Sequence, residues 1–224
     1  MDHFQQGLLR LGYQFLPFLL AVVGHEFGHG IVAHYWGDDT AKESGRLTLN
    51  PIPHLDMIGT VLFPVINMLS GMNLLFGWAK PVPINPNRFK KYRPGLFWVA
   101  LGGPLANATL AFLSALSLCL MIRFVPQDFT FFKEFSSMLE ISVFINFGLG
   151  VFNLIPLPPL DGSKIIESML SYPAMQKYEA LSQYSFFILL GLMFTGALSL
   201  LSGPILFLGK ITLYVAALLT GVSL

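Results

Sequence analysis

The spacing of charge constrains this chain more than any other feature. No Asp, Glu, Lys or Arg occurs in residues 57–79, 94–122, 141–160 or 180–209, runs of 23, 29, 20 and 30 residues. A helix needs about 20 mainly apolar residues to cross the hydrocarbon of a bilayer. Only 11% of the 224 residues are charged, against roughly 25% in an average soluble domain. With a mean hydropathy of +0.65, the chain has too little charge to cover a soluble surface and is too apolar for disorder. The pattern specifies an all-α polytopic membrane protein.

Residues 95–122, 141–157 and 180–202 read as spanning helices. Gly203-Pro204 is expected to break the last run, so that residues 205–222 return as a further helix whose Lys210 snorkels or faces protein. Residues 8–36 read as a retained fifth span. A signal peptide has an apolar region of only about 7–15 residues and a small-residue cleavage site, whereas this segment is longer and has polar groups at its centre. Residues 57–77 are interrupted by Pro64, Asn67, Ser70, Gly71 and Asn73, which suits a broken helix or a re-entrant hairpin covered by protein. Residues 37–56 and 78–94, rich in Asn-Pro and Pro-Val-Pro, read as loops or short extended structure. The expected architecture is therefore five transmembrane helices plus one re-entrant or interfacial hairpin with short extended segments. It forms one domain over residues 1–224, with a core at about 8–170 and a C-terminal helical hairpin at about 180–224.

Charge also bears on topology. If residues 57–77 cross the membrane, Lys and Arg divide eight to four between the two sides; if they dip in and return, the division is nine to three. The positive-inside rule favours the return, with the basic side cytoplasmic.

His25 and His29 lie four apart, so on a helix they project from one face, about 6 Å apart along the axis. Two imidazoles at that spacing can share one zinc ion, and Glu26 between them can serve as general base: the HExxH arrangement. The other reading is a buried polar network between helices. Three ionisable groups inside a 29-residue apolar segment are costly enough to favour function. Catalytic zinc takes a third protein ligand and keeps a position open. Asp161 is the candidate, because Pro156, Pro158 and Pro159 forbid a regular helix before it and an extended stretch can present it. Its alternative use is an N-cap of the following helix; beside the histidine pair, the ligand reading leads.

HEFGH (25–29), GGPLANA (102–108) and FNLIPLPPLDG (152–162), in that order on three apolar segments, resemble the site-2 protease family of intramembrane zinc metalloproteases. The linking phrases Arg46-Leu-Thr-Leu-Asn-Pro51, His54-Leu-Asp-Met-Ile-Gly-Thr60 and Gly77-Trp-Ala-Lys-Pro-Val-Pro-Ile-Asn-Pro86 look like its compact prokaryotic branch without a PDZ domain. The resemblance covers about residues 15–170. It implies one Zn²⁺ per chain on His25, His29 and Asp161, with Glu26 as base and a transmembrane protein substrate. It also implies that Asn153 is an active-site residue, an oxyanion donor whose alternative is a helix–helix hydrogen bond. Ser163-Lys164 departs from the glycine the family often has after Asp-Gly. The rival classes are a catalytically inactive metal-binding membrane protein and a small transporter, since transporters also set polar groups in broken helices.

The remaining polar residues read more plainly. His34 is placed at the interface. His54 and Asp56 suit a turn, or else a pair that accepts from the other ring nitrogen of a zinc-bound histidine. Asn107 is expected to pack or to hydrogen-bond near the site, on a helix face made small by Gly102, Gly103, Ala106 and Ala108. Cys119, the single cysteine, cannot form an internal disulfide. Arg88, Lys90, Lys91 and Arg93 are juxtamembrane and suit anionic headgroups; with a net charge of +1, no nucleic-acid partner is expected.

Overall fold

The computed structural model describes residues 3–70 and 77–223. The chain runs through α1 (His3–Tyr35), the single turn α2 (Thr40–Glu43), and a π-helical turn at Met57–Leu62 continuing into α3 (Phe63–Ser70). Then follow α4 (Tyr92–Phe124), α5 (Phe132–Asn153), α6 (Asp161–Met169), α7 (Tyr172–Glu179), α8 (Ser185–Phe194) and α9 (Ser202–Thr220). Four helices among the described residues are long and apolar enough to cross a membrane: Gly12–Tyr35, Tyr92–Phe124, Phe132–Asn153 and Ala197–Thr220. The described residues contain helices and no strand, so the all-α polytopic class holds.

Lipid tails give helices no hydrophobic reason to associate, so close packing and interhelical hydrogen bonds must hold the bundle. α1 and α4 run antiparallel and touch backbone to backbone. A Cβ on Gly28 would lie 2.4 Å from the Gly102 carbonyl oxygen, and one on Gly102 would lie 2.6 Å from that of Gly28. α4 and α5 are antiparallel too, which leaves α1 and α5 parallel. A second core joins Ala111, Ala115 and Cys119 of α4, Val143 and Phe147 of α5, and Ala216 and Ala217 of α9. Gly209 of α9 packs on Phe144, and the Arg123 guanidinium donates to the Thr220 carbonyl. α9 therefore ends at the level where α4 ends.

The segment at 57–77 returns to its starting point. Asp56 caps its first turn, accepting from the N–H groups of Ile58 (3.1 Å) and Gly59 (2.7 Å). The Trp78 N–H donates to the Gly59 carbonyl at 3.1 Å, and the Thr60 hydroxyl donates to the Trp78 carbonyl at 2.7 Å. Both ends of the hairpin thus lie side by side, although residues 71–76 fall outside the described residues.

The C-terminal hairpin differs from expectation. Residues 180–202 do not form one spanning helix. α8 has ten residues, about 15 Å long, and stops before Gly196, whose φ of +73° is left-handed. Gly203 and Pro204, expected to break the run, instead lie in the first turn of α9, where the missing proline N–H has no partner to lose. The Tyr178 hydroxyl donates to the Pro156 carbonyl at 2.7 Å, so residues 180–201 begin and end on the side where α5 finishes. With four crossings, the Ser171 turn and the C-terminus face opposite compartments. Reporter fusions at Ser171 and after Leu224 should give opposite compartment signals; five crossings would give the same signal at both.

Candidate metal centre

His25 and His29 lie on the face of α1 that meets α4, and both rings are buried. Each is held by its Nδ1. His25 Nδ1 is 2.6 Å from the Asn107 side-chain oxygen, and His29 Nδ1 is 2.7 Å from the Val99 carbonyl. Carbonyl oxygens only accept, so each Nδ1 carries the proton, and a neutral imidazole then leaves Nε2 bare. The two Nε2 atoms point at the same spot, 3.1 Å apart.

Asp161 completes the cluster. α5 ends at Asn153, and the proline-rich stretch that follows carries the chain irregularly to α6. Leu160 occupies the N-cap position of α6, with no side-chain cap bond, and Asp161 is its first residue. The carboxylate turns inward instead: one oxygen lies 3.1 Å from His25 Nε2 and the other 3.2 Å from His29 Nε2. Its Oδ2 is buried without a hydrogen-bond partner.

Lone-pair atoms from three side chains therefore converge with no proton between them, an arrangement that a cation satisfies. Zn–N bonds of about 2.0–2.1 Å at tetrahedral angles set donors about 3.3 Å apart, close to the spacings here. Two neutral imidazoles and one carboxylate also form a donor set suited to zinc. Space for the rings is provided by Gly103, where a Cβ would stand 2.4 Å from His29 Nε2 and 2.6 Å from His25 Cε1.

Glu26 follows His25 on α1. Its Oε2 accepts from the Val82 N–H at 2.7 Å. Val82 lies in the chain between the hairpin and α4, which is fastened along its length. The Lys80 N–H donates to the His54 carbonyl at 2.9 Å, Arg46 donates to the Lys80 carbonyl at 2.6 Å, and the Asn85 N–H donates to buried Asp38 at 2.6 Å. Asn153 is not part of the cluster: it is half-buried at the end of α5, and its amide donates to the Leu149 carbonyl at 3.0 Å. His54 sits in a turn with Nε2 on the Thr48 carbonyl, and His34 pairs with Asp39 on the partly exposed end of α1.

Val99 and Val82 escaped sequence reasoning, and Gly103 entered it only as part of a small helix face. Two of the three contacts use backbone carbonyl or N–H groups, which every residue has, and only Gly103 carried a signal, within the small face of GGPLANA.

Four apolar helices and a buried His–His–carboxylate cluster that could hold a metal ion define a multi-pass membrane protein with a candidate metal centre. The sequence pattern of Peptidase family M50 matches residues 121–194. A Bacillus subtilis (strain 168) protein named "Putative zinc metalloprotease YwhC" is 38% identical over 212 residues, 94% of this chain and 93% of its own. The "Putative zinc metalloprotease Rip2" of Mycolicibacterium smegmatis is 29% identical over 184 residues, 81% of this chain and 66% of its own. Its Mycobacterium tuberculosis namesake is 27% identical over 172 residues, covering 77% and 62%. No solved structure matches the chain. The chain belongs to peptidase family M50, the site-2 protease family, and this membership supports a metalloprotease function.

Replacing Gly103 by alanine puts a methyl where the imidazoles stand. Zinc content of purified Gly103→Ala, measured by elemental analysis, is expected to fall far below wild type while helicity by circular dichroism is retained.

Proposed function

We propose that this protein is an intramembrane zinc metalloprotease that hydrolyses peptide bonds within or near transmembrane segments of other membrane proteins. The observation that carries the reading is the convergence of His25, His29 and Asp161 lone pairs within a membrane-spanning bundle. These residues would hold one zinc ion per chain, and the whole chain would act as one catalytic domain. The bound ion would supply a Lewis acid that polarises water and the scissile carbonyl. Glu26, oriented by the Val82 N–H, takes the proton of the attacking water and returns it to the leaving amide nitrogen. Asn153 would reach the developing oxyanion by releasing the Leu149 carbonyl, a rotamer change open to a half-buried side chain.

Depth supports the choice of substrate. Ten residues separate His25 from the end of α1 at Tyr35, about 15 Å along the helix, or half of a hydrocarbon layer about 30 Å thick. A scissile bond at that depth belongs to a transmembrane segment, which must unwind locally because helical carbonyls are already hydrogen-bonded. Trp78, Lys80 and Val82 bond inward at alternate positions, so the segment resembles a strand with one covered edge. An extended substrate could pair along its other edge, where Pro81 and Pro83 offer carbonyls but no N–H. With the hairpin returning, nine Lys and Arg lie on the side where α1 ends and three on the other, so the site is reached from the cytoplasm.

Glu26→Gln is expected to keep its zinc and to lose cleavage of a transmembrane substrate in liposomes by about 10²-fold or more. Wild-type cleavage by this variant would refute the general-base role. Activity that survives zinc removal by a chelator would refute the metalloprotease reading and return the choice to a transporter or an inactive metal binder.

A further inference from the structure

Behind His25, buried amides form a chain that reaches two helices away. Asn107 of α4 and Asn146 of α5 are 0% and 1% exposed. The Asn107 amide nitrogen donates to the Ala21 carbonyl at 3.0 Å and to the Asn146 side-chain oxygen at 2.9 Å, while its oxygen faces His25 Nδ1. The Asn146 nitrogen donates to the Ser142 carbonyl at 2.9 Å. Beyond it the Ser142 hydroxyl meets that of Ser114 at 2.8 Å.

The chain has a direction. Backbone carbonyls accept only, so Ser142 fixes the Asn146 nitrogen towards itself and turns the Asn146 oxygen towards Asn107. That oxygen and the Ala21 carbonyl together fix the Asn107 nitrogen, which leaves the Asn107 oxygen for His25. Flipping Asn107 would set its oxygen against two acceptors, and flipping both amides would set the Asn146 oxygen against Ser142. Every arrangement other than the observed one loses hydrogen bonds between buried groups.

We propose that Asn107 and Asn146 are positioning residues: a directional amide relay that holds the proton of His25 on Nδ1 and so keeps Nε2 bare and aimed at the metal. The relay does for His25 what the Val99 carbonyl does for His29. Ligating histidines commonly depend on such an acceptor, whose loss costs about 10–100-fold in metal affinity. This inference rests on the zinc reading above, and it adds Asn146, which touches no ligand.

Two measurements test it: zinc affinity by chelator competition on purified protein, and the His25 tautomer in metal-free protein by long-range ¹H–¹⁵N spectra. Asn107→Leu removes the acceptor and should weaken zinc binding by about 10–100-fold and release the tautomer to a mixture. Asn107→Asp keeps an acceptor for His25 but loses both donations, so it should be destabilised like Asn107→Leu yet bind zinc close to wild type. Asn146→Leu leaves Asn107 held by Ala21 alone and should show a smaller loss of affinity with partial release of the tautomer. A purely structural role predicts that Asn107→Asp and Asn107→Leu lose zinc alike, and that result overturns the proposal. Wild-type affinity and tautomer in Asn146→Leu overturn the relay too, even where Asn107→Leu fails to fold. If wild-type protein binds no zinc, the metal reading fails, while the tautomer spectra still decide whether the relay orients His25.

Discussion

The backbone contact between Gly28 and Gly102 governs the geometry of the whole site. Two helices in lipid approach this closely only where neither carries a side chain at the crossing. At that separation His29 reaches the Val99 carbonyl, His25 reaches Asn107, and Gly103 leaves room for both rings. A wider crossing would leave the two imidazoles without Nδ1 acceptors, and nothing would then specify which nitrogen is bare. The glycines of HEFGH and GGPLANA thus prepare the site although they contribute no donor atom.

A second constraint comes from irregular backbone close to a bilayer, where unpaired peptide groups are costly. Residues 77–85 meet it by bonding to Gly59, Thr60, His54, Arg46, Glu26 and Asp38 in turn. One of those partners is the carboxylate assigned as base. Fastening the segment and orienting Glu26 are consequently the same interaction. The hairpin at 57–77 exists to the extent that Trp78 closes on Gly59 and Thr60, which brings α1 and α4 into antiparallel contact without a crossing between them.

Much of this was legible in the sequence. Charge-free runs located α4 and α5, and the apolar stretches at 8–36 and 205–222 located α1 and α9, because the length needed to cross hydrocarbon is fixed by the membrane rather than by packing. The i, i+4 spacing put His25 and His29 on one face, and three prolines before Asp161 marked where the chain leaves the helix. The run at 180–202 misled because its composition satisfies the length rule while its path does not. Thr195-Gly196 turns the chain, and α9 had to start on the side where α5 ended.

What the sequence determined by itself is therefore the class of protein, the histidine pair and the return of the chain at Asp161, all of which follow from local spacing and from the cost of polar groups in an apolar run. Only the tertiary structure decided which nitrogens are bare, what holds Glu26, and that Asn107 leads to Asn146 rather than to solvent. Those outcomes depend on carbonyl and amide groups from residues 39 to 86 positions away. No local pattern encodes such pairings, because a hydrogen-bond partner is selected by where folded helices cross and not by its distance along the chain.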